Sequence, residues 1–260
     1  MKLMQRRQFL AALAVVPLQT VTAGSVVSQP FKVSLLAGGQ RDGLWQAGIL
    51  VELEPEWKTY WRMPGDTGIP PQFDWTGSTN SEAVEVGFPV PRRFNDAGGE
   101  TIGYHDRVVF PLSAKSNRPE DPVHLQLNMF FAVCKEVCIP AKAQASLLLS
   151  ASAANPDLED WQLRVPHVVK AGEAPLVTAA RLDVHRDRPM LALRLARAVN
   201  DIFVESDTTA YFGKPQFDLA PGEAWLPIGN LKDTRKLLGA PVKLTLSFGD
   251  SAIEQVLVIN

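Results

Sequence analysis

The clearest alternation of apolar and polar residues in the chain is Val123-His124-Leu125-Gln126-Leu127-Asn128-Met129-Phe130-Phe131-Ala132-Val133. Its odd-numbered residues are all apolar, whereas His124, Gln126 and Asn128 at even positions are polar. Successive side chains of a β-strand point to opposite faces of the sheet. The alternation therefore predicts a strand with one face in a core and the other turned outward.

The same period of two recurs in both halves of the chain, at residues 108–112, 191–195, 242–248 and 253–259. Short strands at this spacing are typical of β-sandwiches. We predict only two short helices. One opens at Asn155-Pro156-Asp157, where asparagine can cap and proline suits the first helical position, and one covers about residues 231–238 before Gly239.

Residues 151–175 interrupt the strand pattern and contain three prolines, at positions 156, 166 and 175. Chain segments of this kind connect domains. We therefore predict an all-β chain with a first domain at residues 24–152, a linker with a short helix at 153–175, and a second domain at 176–260.

The N-terminus has the pattern of an export signal. Lys2, Arg6 and Arg7 precede an apolar run over residues 9–16, and Val21-Thr22-Ala23 suits signal peptidase, so we predict that residues 1–23 are removed. The arginine pair also resembles a twin-arginine motif; the alternative is an ordinary secretory signal. The run is too short to span a bilayer, and no later run is long enough, so we expect a soluble periplasmic protein without a permanent membrane anchor.

Composition excludes several classes of function. The 260 residues include 26 basic and 28 acidic ones, so the chain lacks the positive field that binding of nucleic acid requires. It contains no G-x-S-x-G nucleophile elbow and no glycine-rich phosphate loop. His124, His167 and His185 show no metal-ligand spacing, so we predict neither a cofactor nor a bound metal.

Chemistry is concentrated in the only two cysteines, Cys134 and Cys138, which are separated by three residues. Four steps along an extended strand span about 13 Å, beyond the roughly 7 Å limit for a disulfide, so a bond requires the chain to reverse between them. A three-residue turn joining two strands achieves this, with Pro140 at an edge strand or strand end. Continued alternation places Cys134 on the outward face with Phe130, which predicts a reachable pair next to that ring.

Three functions are open to such a pair. Closing so small a ring removes only about 2 kcal/mol of chain entropy, which favours thiol–disulfide exchange over a structural disulfide in a non-catalytic sandwich. The third is copper(I) binding, with Met129 or a histidine as additional ligand. Lys135 favours a thiolate and Glu136 opposes one, so the sequence does not fix which cysteine attacks first.

Three blocks of sequence carry a family resemblance, in the order Glu54-Pro55-Glu56-Trp57-Lys58-Thr59-Tyr60-Trp61-Arg62-Met63-Pro64-Gly65-Asp66-Thr67-Gly68-Ile69-Pro70-Pro71, then Gly103-Tyr104, then Val133-Cys134-Lys135-Glu136-Val137-Cys138-Ile139-Pro140. Together they resemble the N-terminal periplasmic region of DsbD- and ScsB-type thiol:disulfide interchange proteins, and most closely the ScsB type. Residues 201–205 and the final strands resemble the second sandwich of that region.

The resemblance implies two immunoglobulin-like β-sandwich domains and a catalytic pair at Cys134 and Cys138. It implies electron relay between a membrane-embedded thiol reductase and thioredoxin-fold periplasmic proteins, and links the chain to copper tolerance and cytochrome c biogenesis. The membrane and thioredoxin-like domains of full-length members do not follow Asn260, so we expect either a separately encoded electron donor or acceptor, or a relative that has kept the domain and changed its partner.

The remaining candidates lie near the first two blocks. We predict that Trp57, Tyr60 and Trp61 pack in the core or at its rim, with a docking surface as the alternative. The turn at residues 64–68 is a candidate cap over the cysteines, as in the related DsbD domain. Tyr104-His105-Asp106 contains groups able to relay protons, although we expect the histidine and aspartate to be solvated.

Overall fold

The computed structural model describes residues 29–65, 68–96, 99–150, 154–184 and 188–260. The predicted export signal at 1–23 lies outside these ranges. Within them, no helix is long and apolar enough to cross a membrane.

The first ten strands form one pair of sheets, which we call the first sandwich. They are β1 Phe31–Arg41, β2 Leu44–Leu53, β3 Lys58–Gly65, β4 Gln72–Asp74, β5 Ser81–Val86, β6 Arg92–Asp96, β7 Gly99–His105, β8 Arg107–Ser116, β9 Val123–Cys134 and β10 Cys138–Leu149. One sheet has the order β1-β2-β8-β5 and the other β10-β9-β3-β7-β6, with β4 also paired to β9.

The remaining strands form a second pair of sheets, the second sandwich. The elements are helix α1 Pro156–Gln162, β11 His167–Val168, β12 Val177–Asp183, β13 Met190–Leu195, β14 Asp201–Ser206, β15 Tyr211–Phe212, β16 Glu223–Gly229, a 3₁₀ helix Thr234–Leu237, β17 Pro241–Ser247 and β18 Ala252–Val258. The sheet orders are β11-β18-β17-β14 and β12-β13-β16-β15.

Strand alternation builds both cores. The odd-numbered residues of β9 are all buried and pack against side chains of β2 and β8 from the facing sheet. A separate cluster fills the second sandwich, with Leu193 and Leu226 on one sheet and Leu244 and Leu246 on the other. The predicted all-β, immunoglobulin-like sandwich class is confirmed.

The two predicted helices differ in outcome. The first is confirmed: the Asn155 side chain accepts a hydrogen bond from the backbone N–H of Leu158, and proline occupies the start of α1. The second is wrong in length and type, because only the 3₁₀ turn Thr234–Leu237 forms and Leu238 is already extended. Residues 151–153 lie outside the described ranges, so the domain boundary at 152–153 stays a prediction.

The second sandwich is joined to the first by a buried side chain and two arginines. Phe203 projects from β14 into the core of the first sandwich, where its ring centroid lies 5.5 Å from that of Trp61. The Nε–H of Arg93 on β6 donates to both carboxylate oxygens of Asp201, and Arg62 on β3 pairs with Glu205 and Glu254. These contacts tie the second sandwich to the sheet that carries the cysteines.

Candidate redox-active site

The β9–β10 hairpin brings the two cysteines together. Cys134 and Cys138 are directly opposed in the ladder, their Cα atoms are 4.1 Å apart, and they form a disulfide. Residues 135–137 make the turn, and β10, which contains Pro140, is the edge strand of its sheet. The chain reversal predicted from the spacing is therefore present.

The two sulfurs differ in access. Cys134 is only 6% exposed, whereas Cys138 belongs to an exposed run that begins at Lys135. Cys134 does lie on the outward face of β9, but Tyr60 and Ile69 cover it there. The expectation of a reachable pair is thus correct for Cys138 and wrong for Cys134, because a second layer covers that face.

Tyr60, rather than the predicted Phe130, is the aromatic neighbour of the disulfide. Its hydroxyl lies 2.9 Å from Sγ of Cys138 and donates to that sulfur, which carries no proton in the disulfide. Burial raises the pKa of Tyr60, so the hydroxyl stays protonated at neutral pH. Phe130 lies further along β9, beside Gln72 and Lys142.

A glycine sets the position of Tyr60. Gly103 on β7 is its partner across the ladder, and a Cβ at residue 103 would lie 2.0 Å from the backbone oxygen of Thr59. The close approach of β7 to β3 therefore requires glycine at this position. The resemblance marked Gly103 as part of a motif, and the structure shows its physical role.

Two lysines lie near the cysteines in different settings. Lys135, in the turn, pairs with Glu56 at 2.5 Å, and this contact raises the pKa of Lys135 and lowers that of Glu56. Lys58 is 3% exposed and directly opposes Cys134 in the β3–β9 ladder. Burial lowers the pKa of Lys58. From the sequence, Lys135 is the one lysine expected to favour a thiolate.

Neither Lys58 nor the Tyr60 hydroxyl was predicted at the site. Their shared parity was the available signal: Lys58 and Tyr60 lie on one face of β3, while Thr59 and Trp61 lie on the other. Trp61 is fully buried in the core, and Trp57 packs at its edge. The prediction of packing in the core or at its rim is correct for all three residues, since Tyr60 is fully buried in a smaller cluster on the disulfide side.

The predicted cap is described only at its ends. Asp66 and Thr67 lie outside the described residues. Gly68 lies so close to Tyr60 that a Cβ there would be 2.5 Å from the ring, and Ile69 packs on the cluster of Tyr60, Ala132 and Cys134. The segment after the turn therefore covers the buried sulfur.

Other predicted participants have partners away from the disulfide. The Tyr104 hydroxyl donates to the carbonyl of Pro89, and His105 contacts the Phe94 ring edge-on at 4.2 Å. Met129 belongs to the core, on the face of β9 opposite to Cys134, so the suggested copper ligand does not meet the sulfurs. His185 lies outside the described residues, and the described ones include no cluster of three or more side chains of the His, Cys, Asp or Glu type that could hold a metal.

Comparison with known families places this hairpin in context. Residues 26–150 match the family model described as thiol:disulfide interchange protein DsbD, N-terminal. These residues form a DsbD-type N-terminal domain. They include the whole first sandwich and both cysteines, so the disulfide belongs to a thiol–disulfide interchange module. Domains of this type work with thiol-redox partners in general.

Solved structures extend the likeness beyond the DsbD-type domain. The N-terminal periplasmic domain of ScsB from Proteus mirabilis is 22% identical, with a TM-score of 0.67 over 87% of this chain and 92% of that one. At this identity the likeness shows a shared fold. The titin Ig tandem domains A164-A165 align at 11% identity with a TM-score of 0.20, too low to indicate a common arrangement. No curated protein sequence matches the chain significantly.

Proposed function

We propose that this chain is a periplasmic thiol–disulfide exchange protein whose Cys134 and Cys138 cycle between dithiol and disulfide. Its partners are a membrane-embedded thiol reductase on one side and a thioredoxin-fold protein on the other. One observation carries the proposal: of the two bonded cysteines, Cys138 is an exposed residue and Cys134 is buried, with a tyrosine hydroxyl at the sulfur of Cys138. Cys138 is then the sulfur that meets partners.

Exchange at this site proceeds in two balanced steps. A partner thiolate attacks Sγ of Cys138, the bond between the cysteines breaks, and Cys134 leaves as a thiolate. The partner's second cysteine, as a thiolate, then attacks the sulfur of the partner's first cysteine in the mixed disulfide. Cys138 leaves as a thiolate. Two electrons reach the chain, and the partner ends with a disulfide. The reverse sequence, opened by attack of the Cys138 thiolate on an oxidised partner, returns them.

Access explains the assignment of roles. An attacking thiolate must approach the sulfur along the line of the sulfur–sulfur bond, so burial of Cys134 under Tyr60 and Ile69 blocks attack there. The Tyr60 hydroxyl can donate to the negative charge that develops on Cys138 when the mixed disulfide opens. The buried cysteine is therefore the resolving residue.

Single-cysteine variants test this division of roles. The probe is a thioredoxin-fold protein with one active-site cysteine, activated as its mixed disulfide with thionitrobenzoate. We expect Cys134→Ala to release the coloured thiolate and form a covalent complex that reductant dissolves. Cys138→Ala, which retains only the buried sulfur, is the matched control and should react at least tenfold more slowly.

Failure of both variants to form the complex would contradict the exchange function. Equal rates would leave exchange in place but contradict the assignment of Cys138 as the attacking sulfur. Each variant lacks one sulfur atom of the parent chain. Circular dichroism confirms that both are folded.

A further inference from the structure

A row of four side chains crosses the sheet at the disulfide. His105 on β7 opposes Lys58 on β3, Lys58 opposes Cys134 on β9, and Cys134 opposes Cys138 on β10. Directly opposed residues project from the same face, with Cβ atoms about 5 Å apart. The stem of Lys58 therefore runs beside the side chain of Cys134.

Lys58 is set apart from the other cations near the turn by its burial. It is 3% exposed, on a strand whose neighbouring side chain, Tyr60, is fully buried. Charge interactions are several times stronger away from water than at a solvated surface. A cation in this position acts on a charge at Cys134 far more strongly than an exposed lysine would.

Other ionisable side chains of the described residues lie in or around this row. Lys135 pairs with Glu56, and Glu136 is exposed in the turn. On the strand beyond Lys58, His105 packs against the Phe94 ring. Tyr60 gives its hydroxyl to Cys138, whereas Lys58, on the same face of β3, lies opposite Cys134.

We propose that Lys58 is a positioning residue that stabilises the thiolate of Cys134, the sulfur that leaves when a partner attacks Cys138. The inference rests on the proposed function and adds the group that controls its leaving sulfur. When the disulfide opens, the electron pair of the broken bond stays on Cys134, and the Lys58 ammonium offsets that charge. A leaving thiol of lower pKa departs faster, so the same contact accelerates reduction of the pair.

The return step uses the same contact. To resolve a mixed disulfide, Cys134 must attack Cys138 as a thiolate, and a buried thiol without a neighbouring cation would be protonated at neutral pH. Lys58 keeps a fraction of the Cys134 thiol ionised although Tyr60 and Ile69 bury it. Tyr60 and Lys58 together supply one polar group for each sulfur.

The test is the pKa of Cys134 in the Cys138→Ala variant, measured from the ultraviolet absorbance of the thiolate as a function of pH. We expect Lys58→Met, which keeps the stem and removes the charge, to raise this pKa by about one unit or more. Lys58→Arg keeps the positive charge and should leave the pKa of Cys134 close to its value with lysine at position 58. Lys135→Met removes the exposed cation of the same turn and should change it little.

An unchanged pKa of Cys134 in Lys58→Met, or an equal change in Lys135→Met, would overturn the proposal. If Lys58→Met does not fold, Lys58→Gln replaces it with the same expectation. The two-cysteine chain separates this inference from the function: if its disulfide exchanges normally while the Cys134 pKa is insensitive to residue 58, only the role of Lys58 fails. If the two-cysteine chain does not exchange at all, the proposed function fails.

Discussion

Both sandwiches consist of two packed β-sheets, and among the described residues only the first has a disulfide at a hairpin turn. In the first, strands of 12 residues each form the β9–β10 hairpin, which is closed by a disulfide. In the second, strands of 7 residues form the β17–β18 hairpin, closed by a hydrogen bond from the backbone N–H of Phe248 to the carbonyl of Ser251. The two hairpins therefore differ in the contact that closes the turn, which is a disulfide in the first sandwich and a backbone hydrogen bond in the second.

Their outward faces differ in a complementary way. On the first sandwich, β3 presents Lys58 and Tyr60 to the disulfide and Arg62 to the second sandwich. On the second, β14 presents Phe203 and Asp201 to the first. The second sandwich thus supports the sheet that bears the site.

Removal of the Phe203 ring should give the largest loss. Phe203 is 1% exposed and sits in the core of the first sandwich, so Phe203→Ala should lower the free energy of unfolding by about 3–5 kcal/mol. Phe217→Ala removes a ring that is 41% exposed and should have a small effect. Urea unfolding followed by tryptophan fluorescence measures both. Similar small losses would show that the second sandwich does not support the first.

Adjacent arginines offer a matched pair of contacts between the sandwiches. The Arg93 side chain is 6% exposed and pairs with Asp201, while Arg92 is 76% exposed and pairs with Asp250. Arg93→Ala leaves the partly buried Asp201 carboxylate without its cation and should lower the free energy of unfolding by about 3 kcal/mol. Arg92→Ala should lower it by less than about 1 kcal/mol. Equal effects in denaturant unfolding would contradict the account.

The pH dependence of the Arg93 pair has a definite sign. Burial raises the pKa of Asp201 above its ordinary value of 3.8, although Arg93 opposes that rise. A folded-state pKa above the unfolded value gives stability that is present in acid and lost as the pH rises through the folded pKa. The deficit of Arg93→Ala should therefore shrink as the pH falls through the raised pKa of Asp201, because the carboxyl takes up a proton there and no longer needs the cation.

The sequence predicted what is local and missed what is distant. The parity of β9, the cap at Asn155 and the reversal between the cysteines each depend on neighbouring residues. The Tyr60 hydroxyl meets a sulfur 78 positions away, and Phe203 enters a core formed by other strands. Alternation placed Cys134 on the correct face, but no local pattern showed that Ile69 would cover it.

A further experiment compares the two hairpin turns. Loss of the disulfide in a chain with both Cys134→Ala and Cys138→Ala should lower the free energy of unfolding by only about 2 kcal/mol, since the ring is small. Gly249→Ala strains the other turn, where φ is +90°, and should lower it by about 1 kcal/mol. Thermal or urea unfolding suffices. A loss above about 4 kcal/mol for the cysteine pair would indicate a bridge that serves stability.

The smallest effect concerns one hydroxyl. In the Cys134→Ala background, Tyr60→Phe should raise the pKa of the Cys138 thiol by up to about one unit, because it removes one hydrogen bond to the sulfur. Tyr104→Phe removes a hydroxyl that is bonded to Pro89 instead and should leave that pKa unchanged. Thiolate absorbance against pH gives both values. The hydroxyl has no role if the two variants agree.

The reduction potential of the Cys134–Cys138 pair decides whether this disulfide can open and close in exchange with a partner. Equilibration with glutathione or thioredoxin buffers, followed by alkylation of free thiols, measures it in the whole chain. An exchange site should have a potential within the range of about −120 to −270 mV that thioredoxin-fold exchange proteins span. A value below about −300 mV would contradict the account, because such a disulfide resists reduction and would serve as a structural bridge.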